Sequence, residues 1–279
     1  MVCTPGRSTT SGSSYKLDGD AERARRRLSL IEKRDDPLTI DCLERIGVHE
    51  GWRCLEVGAG GGSIATWLSE RVGPRGLVVA TDIETRFLEP LRSANLEVRR
   101  HDASREDLEE EAFDLVHARH VLAHVPEREA TLRKMAAAVR PGGWILSEEP
   151  DVTTEGPDPA APEPVRALCE RVKRAILGFL RQQGIDPFFG ARVLGLLGRL
   201  DFDSLGSEGS VRSYVGGPGQ EPSPHMLAFA DLEEAIIAGG WCGREEFDEF
   251  LALPGDESFI WRDALTVAAW GRRRGSIAP

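Results

Sequence analysis

The chain has 279 residues, 41% of them hydrophobic, and a formal net charge of −11 from 46 acidic and 35 basic side chains. That apolar content suffices for one large core, or for a domain with a smaller appendage. The acidic balance argues against a primary role on nucleic acid or an anionic membrane, because both need basic surface to displace counterions. The five cysteines, Cys3, Cys42, Cys54, Cys169 and Cys242, are odd in number and show no C-x-x-C pair, so reduced thiols are expected rather than a disulfide framework or a zinc site. The chain does not open on a charged n-region followed by an apolar stretch, and it holds no apolar run near the roughly 18 to 20 residues a membrane span needs. The expectation is a cytoplasmic protein.

Residues 1–14 are rich in Ser, Thr and Gly and predict a disordered tail. From Asp20 to Arg34 an apolar stripe at Ala21, Ala24, Leu28 and Ile31 predicts a helix. Asp36-Pro37 is expected to break it, with LTIDCLERI forming a second short helix. After Gly51 strand and helix signals alternate, which points to βαβ units around a parallel sheet. Strands are expected at Cys54–Val57, Leu77–Ala80, Leu96–Arg99, Phe113–Val116 and Trp144–Ser147. Helices are expected at Ser63–Arg71, Arg86–Ala94 and Glu127–Val139.

Residues 151–164 hold four prolines and precede a helical string, Val165–Gln183, then a second at Ala191–Arg199. This reads as a helical insertion. Strand character resumes at Ser210–Val215, helices follow at Pro224–Ala238 and Arg244–Leu251, and Ala264–Trp270 gives a last strand.

The chemistry concentrates in CLEVGAGGGSIA, an apolar strand, a glycine turn and a helix start. Such a turn lets a ligand lie against bare backbone beside helix N-terminal N–H groups. A P-loop is excluded, because Ser63 stands where its lysine would follow the last glycine. A dinucleotide site is the alternative, since Gly60-x-Gly62-x-x-Ala65 fits one frame of its fingerprint and Asp82 lies where a ribose-binding acid belongs. Glu56, two residues before Gly58, tips the balance: an acid there repels a pyrophosphate and suits a ligand carrying an ammonium and a sulfonium.

CLEVGAGGGS closely resembles the first motif of class I S-adenosylmethionine-dependent methyltransferases, with Glu56, Gly58, Ala59, Gly60, Gly62 and Ser63 as cofactor-binding candidates. VVATDIE resembles the second motif, in which the acid, here Asp82, accepts the ribose hydroxyls. RRHDA resembles the third, which implies that Asp102 receives the adenine amino group while Ile83 and Ala103 flank the ring. FDLVHARHVLAHVP, VRPGGWILSEEPD and ALTVAAWGRR resemble the fourth, fifth and last strands with their bends. Tyr15-Lys16-Leu17 with AERARRRL is similar to actinobacterial small-molecule methyltransferases, in which a helical cap closes over the cofactor. The family implies a Rossmann-like, doubly wound, mostly parallel seven-stranded α/β sheet. Its parts here would be a tail (1–14), a helical cap (15–50), a cofactor-binding half (51–151), a helical substrate lid (152–200) and a C-terminal part (201–279).

Tyr15 is a lid candidate over the cofactor, set against a simple anchoring role. Arg119 stands at the mouth of the expected crevice, where contact with the methionyl carboxylate competes with an ordinary ion pair. His120 and His124 share a helical spacing, but the acid of an H-E-x-x-H zinc motif is absent, so no metal is expected. As catalytic bases the candidates are His120, His124 and Glu149, with one of Glu148 and Glu149 facing the crevice. Phe179, Phe188 and Phe189 in the lid suit an apolar or aromatic small acceptor, although packing the insertion would use them equally. The reading is a small-molecule methyltransferase of secondary metabolism acting on O, N or C. The alternatives are an NAD-dependent oxidoreductase, or a methyltransferase-fold scaffold or cyclase. The lid edge or the N-terminal helix could mediate a homodimer.

Overall fold

The computed structural model describes residues 21–275, so the expected tail and Tyr15 lie outside the described residues. Helix α1 (Ala21–Ile46) leads into strand β1 (Arg53–Val57), helix α2 (Ser63–Val72), β2 (Leu77–Asp82), β3 (Leu96–Arg100), β4 (Phe113–Arg119), α3 (Arg128–Ala138) and β5 (Val139–Asp151). Then come β6 (Gly156–Pro157), α4 (Glu163–Gln182), α5 (Val193–Leu197), β7 (Phe202–Ser210), β8 (Ser213–Val215), α6 (Pro224–Ala238), α7 (Arg244–Ala252), β9 (Ile260–Arg262) and β10 (Leu265–Arg273).

Seven strands form one sheet in the order β3-β2-β1-β4-β5-β10-β7, and β6-β9-β8 form a second, small one. The pairs β2–β3, β1–β2, β1–β4 and β4–β5 are parallel, while β10 runs antiparallel to both β5 and β7. This is the expected Rossmann-like, mostly parallel seven-stranded sheet. Its strand order reverses between β1 and β4, and in open α/β sheets ligands bind at the carboxyl ends of strands at such a switch point.

The apolar runs of β1, β2, β4 and β5 are buried on both faces, which is why they read as continuous hydrophobic segments rather than alternating ones. Two clusters sandwich the sheet, one built on Phe113, Met135 and Phe189, the other on Leu43, Leu68 and Leu115. A third, with Val172, Phe229, Phe247, Phe250 and Trp261, joins α4 to α6 and α7.

Four expectations change. Asp36-Pro37 does not break the first helix, because α1 continues through Pro37. The lost backbone bond is offset by a buried polar seam on either side, where Arg34, Asp35 and Thr39 are all anchored to the sheet side of the molecule. The helix expected at Arg86–Ala94 shrinks to one short 3-10 turn at Glu89–Leu91 around Pro90. Strand β7 begins at Phe202, in a Gly- and Ser-rich stretch that lies almost wholly exposed at the sheet edge, so no apolar period announces it. The segment 152–200 is not one lid: α4 packs with α6 and α7, while Phe189 and α5 pack under the main sheet.

The Phe250 ring lies 5.9 Å from that of Trp261 at 75°, and its side chain is fully buried. Phe250→Ala should therefore cost about 3–5 kcal/mol by leaving a cavity in the helical unit. Urea unfolding checks this, with a lower midpoint expected at unchanged slope.

Candidate functional site

The glycine turn sits between β1 and α2, at the switch point. Gly58, Gly60 and Gly62 all have positive φ, 68°, 57° and 85°, a region side-chain-bearing residues rarely occupy. A Cβ added at Gly58 would collide with Val121, so the turn must stay bare for a second reason. Asp82, at the end of β2, binds the turn directly: its Oδ2 accepts from Gly60 N at 2.9 Å and its Oδ1 from Glu84 N at 3.0 Å. Burial pushes the Asp82 carboxyl up despite these amide bonds. Beyond it Ile83 is 53% exposed, an apolar side chain left at the crevice edge. Asp102, after β3, is steadied by Ser104, whose N and Oγ donate to its Oδ1 at 3.0 and 2.6 Å. Desolvation alone would raise Asp102, but these bonds outweigh it and leave the carboxyl below its ordinary value. Ala103 packs into the core beneath.

Glu56 is placed differently from the expectation. It is buried within the sheet, pairs in register with His117 on β4, and its Oε2 meets His117 Nδ1 at 2.8 Å. The other ring nitrogen, Nε2, meets Glu148 Oε2 on β5 at 2.9 Å. The desolvation that would discharge His117 is outweighed by Glu56 and Glu148, and its pKa is pushed up to about 9. A buried imidazolium thus bridges two carboxylates across three strands. Thr39 Oγ1 donates to Glu148 Oε2 at 2.7 Å, Arg119 Nη1 donates to Thr39 Oγ1 at 2.8 Å, and Arg119 Nη2 pairs with Asp36 at 2.8 Å. Arg119 is therefore committed to α1, the ion-pair outcome rather than an open contact. Asp36 also accepts from Ser63 Oγ at 3.0 Å, which ties α1 to the first residue of α2.

Helix α1 thus lies directly across the glycine turn. Leu28 covers Gly60, and Glu32 and Arg25 cover Gly61. Glu32 Oε1 is buried without a hydrogen-bond partner, and its nearest cation, Arg25 Nη1, is 3.9 Å away. Burial raises the Glu32 carboxyl.

His120 follows β4 with φ 56°, in the left-handed region for a residue with a side chain. Such strain costs on the order of 1–3 kcal/mol and gathers at functional sites. It is held by its own N–H to Glu148 O at 2.8 Å and by Nε2 to Asp35 Oδ2 at 2.8 Å. Burial would raise Asp35, but Arg34, gripping it through Nε at 2.9 Å and Nη2 at 2.8 Å, and His120 hold it well below the carboxylate range. Burial lowers the His120 imidazole, with Arg34 and Arg119 adding to that against Asp35. Donation from Nε2 to Asp35 leaves Nδ1 as the open acceptor, with no hydrogen bond among the described residues.

His124 follows nearby; desolvation, with the charges of His120, Arg27 and His225 adding to it, lowers its imidazole to about 4. Glu149 does not face the crevice. Fully buried, it accepts from the backbone N–H groups of Val121, Leu122 and Ala123 at 3.2, 2.8 and 3.0 Å, capping the turn that carries His120. Burial nonetheless raises it to about 7. Its two oxygens are spent on positioning, which rules against Glu149 as a catalytic base. Phe179 and Phe189 are core residues, 5% and 0% exposed, and Phe188 stacks under Arg181 at 4.3 Å, so these rings do not line an acceptor pocket.

Reading the sequence alone misses the whole contribution of α1 (Arg34, Asp35, Glu32, Asp36, Thr39) and misses His117. A signal for His117 exists: Glu56 in an apolar strand needs a buried partner, and β4 carries a histidine in its interior.

A doubly wound sheet with a bare glycine turn at its switch point, and an acid at the end of the next strand, defines a nucleoside-cofactor fold. Residues 55–147 match the methyltransferase domain family. Among curated proteins, methyltransferase GfsG of Streptomyces halstedii is 30% identical over 139 residues, covering 47% of this chain and 49% of that protein. Ubiquinone/menaquinone biosynthesis C-methyltransferase UbiE of Pseudomonas putida is 32% identical over 112 residues, covering 37% and 44%. The match thus spans about half the length of these relatives or less. Among solved structures, the [4+2]-cyclase SpnF shares the fold at TM-score 0.51 and 16% identity, over 86% of this chain and 81% of that one. Residues 55–147 accordingly match a methyltransferase domain. No helix among the described residues is long and apolar enough to cross a membrane.

Because the folded pKa of His117 is raised from 6.5 to about 9, its stabilisation is complete below pH 6.5 and is lost as pH rises through 9. A decline on the order of 3 kcal/mol across that window is expected, measured by urea unfolding at fixed ionic strength. His117→Leu, which strands two buried carboxylates, should cost about 3–5 kcal/mol at neutral pH and flatten the profile.

Proposed function

We propose that the protein transfers a methyl group from S-adenosylmethionine to O, N or C of a small molecule, in the cytoplasm and as a tailoring step of secondary metabolism. The observation that carries this reading is the bare glycine turn, tied to Asp82 and overlain by the unpartnered carboxylate oxygen of Glu32. A half-buried acid with one unsatisfied oxygen over a phosphate-type turn disfavours a pyrophosphate and suits a ligand whose amino-acid end is cationic. The sequence assigns that property to Glu56, which instead pairs with His117; α1 offers Glu32 in that role.

The residues fit the cofactor. Asp82 retains acceptor capacity for ribose hydroxyls, Asp102 is fixed for the adenine amino group, and Ile83 offers an apolar face to the ring. When bound, S-adenosylmethionine supplies an electrophilic methyl on a sulfonium. The protein then has to align the acceptor, exclude water and, for a hydroxyl or ammonium acceptor, take up a proton. His120 takes that proton in this reading, which is supported by Asp35 orienting the ring through Nε2 so that Nδ1 can accept it. Covering the turn with Leu28, Arg25 and Glu32 gives α1 the water-excluding role. The group being methylated then meets His120 rather than the phenylalanines of the insertion.

Isothermal titration with S-adenosylhomocysteine should show binding that NAD does not compete for. Asp82→Ala and Glu32→Ala should each weaken it at least about tenfold, while His120→Ala leaves it unchanged. With labelled S-adenosylmethionine and a panel of hydroxylated, amino and carboxylated metabolites, His120→Ala should lower turnover of an accepted substrate about 10²–10⁴-fold. NAD binding in place of S-adenosylhomocysteine would overturn the reading in favour of an oxidoreductase. Cofactor binding with no transfer to any acceptor would favour a scaffold or cyclase.

A further inference from the structure

A second histidine–carboxylate pair is linked to that of His120 through Arg34 and Asp263 and is unused by the chemistry above. His225, in the first turn of α6, places Nδ1 2.7 Å from Oε2 of Glu155, whose side chain is fully buried. Its Nε2 makes no hydrogen bond among the described residues, and the ring is 16% exposed. Glu155 Oε1 is buried and unpartnered, so the imidazole is the hydrogen-bond partner that this carboxylate has. Asp263 lies alongside, and Arg34 Nη1 joins it at 2.9 Å to the same guanidinium that grips Asp35 behind His120. The two histidines therefore share one charge network, and both lower the imidazole of His124.

We propose that His225 is an oxyanion subsite for the methyl acceptor, so that the substrate is a small hydroxylated or aminated carboxylate. This rests on the methyltransferase reading. The Nε2–H donates to the carboxylate while His120 Nδ1 receives the proton of the group being methylated. Environments that push two like groups apart mark such a division of labour. Burial opposes the charge on His225, but Asp263 and Glu155 outweigh it and raise its pKa, whereas burial lowers that of His120. The groups facing His225 are Glu155, Asp263, Arg34 on α1 and His124, with Lys173 of α4 bonded to the backbone oxygen of Glu155. A cavity of about 370 Å³ between α1 and α6 is lined by Arg23, Arg26, Arg27 and Leu227 together with Glu22 and Asp231, of which Arg23 and Asp231 pair with each other.

Glu155, His225 and Asp263 also bring one ligand atom each within 4.8 Å of one another, a spacing a metal ion could use. Asp263 argues against it, since Arg34 occupies one of its oxygens and Ser223 the other. A cation would have to displace a guanidinium.

The test is calorimetry on the full chain saturated with S-adenosylhomocysteine, using salicylate and mandelate against salicylamide and mandelamide. The wild type should bind at least one carboxylate at least about tenfold tighter than its amide, with affinity falling as pH rises. His225→Ala should abolish that preference, and His225→Gln, which keeps a donor without the charge, should lose most of it. Unchanged affinity for S-adenosylhomocysteine would show that both variants are folded. No preference for either carboxylate in the wild type, or a preference that survives in both variants, overturns the subsite. So does one equivalent of Zn²⁺ or Mn²⁺ bound tightly by the wild type and lost in His225→Ala. A wild type that fails to bind S-adenosylhomocysteine overturns the methyltransferase reading instead, and the carboxylate comparison is then made on the free protein.

Discussion

A protonated histidine held between two buried carboxylates organises the centre of this molecule. His117 faces Glu56 on one side and Glu148 on the other, spanning β1, β4 and β5 at the switch point of the sheet. Desolvating three ionisable groups is costly, and the arrangement persists because each charge meets an opposite one at hydrogen-bond distance. Its consequence reaches beyond the sheet: Glu148 accepts from Thr39, Thr39 accepts from Arg119, and Arg119 pairs with Asp36, so the central charge balance fixes where α1 sits.

Helix α1 is in this way part of the site rather than packaging around it. One of its faces places Leu28 and Glu32 on the glycine turn, and Arg34 and Asp35 behind His120. That same polar seam keeps the helix continuous through Pro37, and it couples the wall of the cofactor crevice to the orientation of the proposed base. The strained backbone of His120 is retained by the same means, with Glu149 capping the turn after it and Asp35 holding its ring.

Much of the fold was legible because parallel strands buried on both faces must be apolar throughout, and CLEV, LVVA and FDLV advertise that. The glycine turn and Asp82 were legible because positive φ and a bare approach demand glycine at fixed offsets from a strand end. Pro37 misleads because propensity is local, whereas what offsets the proline lies on residues as distant as Asp263. Strand β7 is illegible for the opposite reason: an exposed edge strand made of Gly, Ser and acids carries no period. Glu149 reads as crevice-facing because adjacent residues of a strand alternate sides, but the alternation does not say which of two glutamates meets the crevice; here neither does.

From the residues alone came the class of sheet, the turn and the resemblance to a methyltransferase, since backbone conformation and strand burial restrict residue types locally. Which acid meets a histidine, and which histidine keeps a free nitrogen, was decided only by the tertiary structure. Glu56 and His117 are 61 residues apart, and His120 and Asp35 are 85 apart. The role of an ionisable side chain follows from its partners and its burial, and neither is a property of its neighbours in sequence.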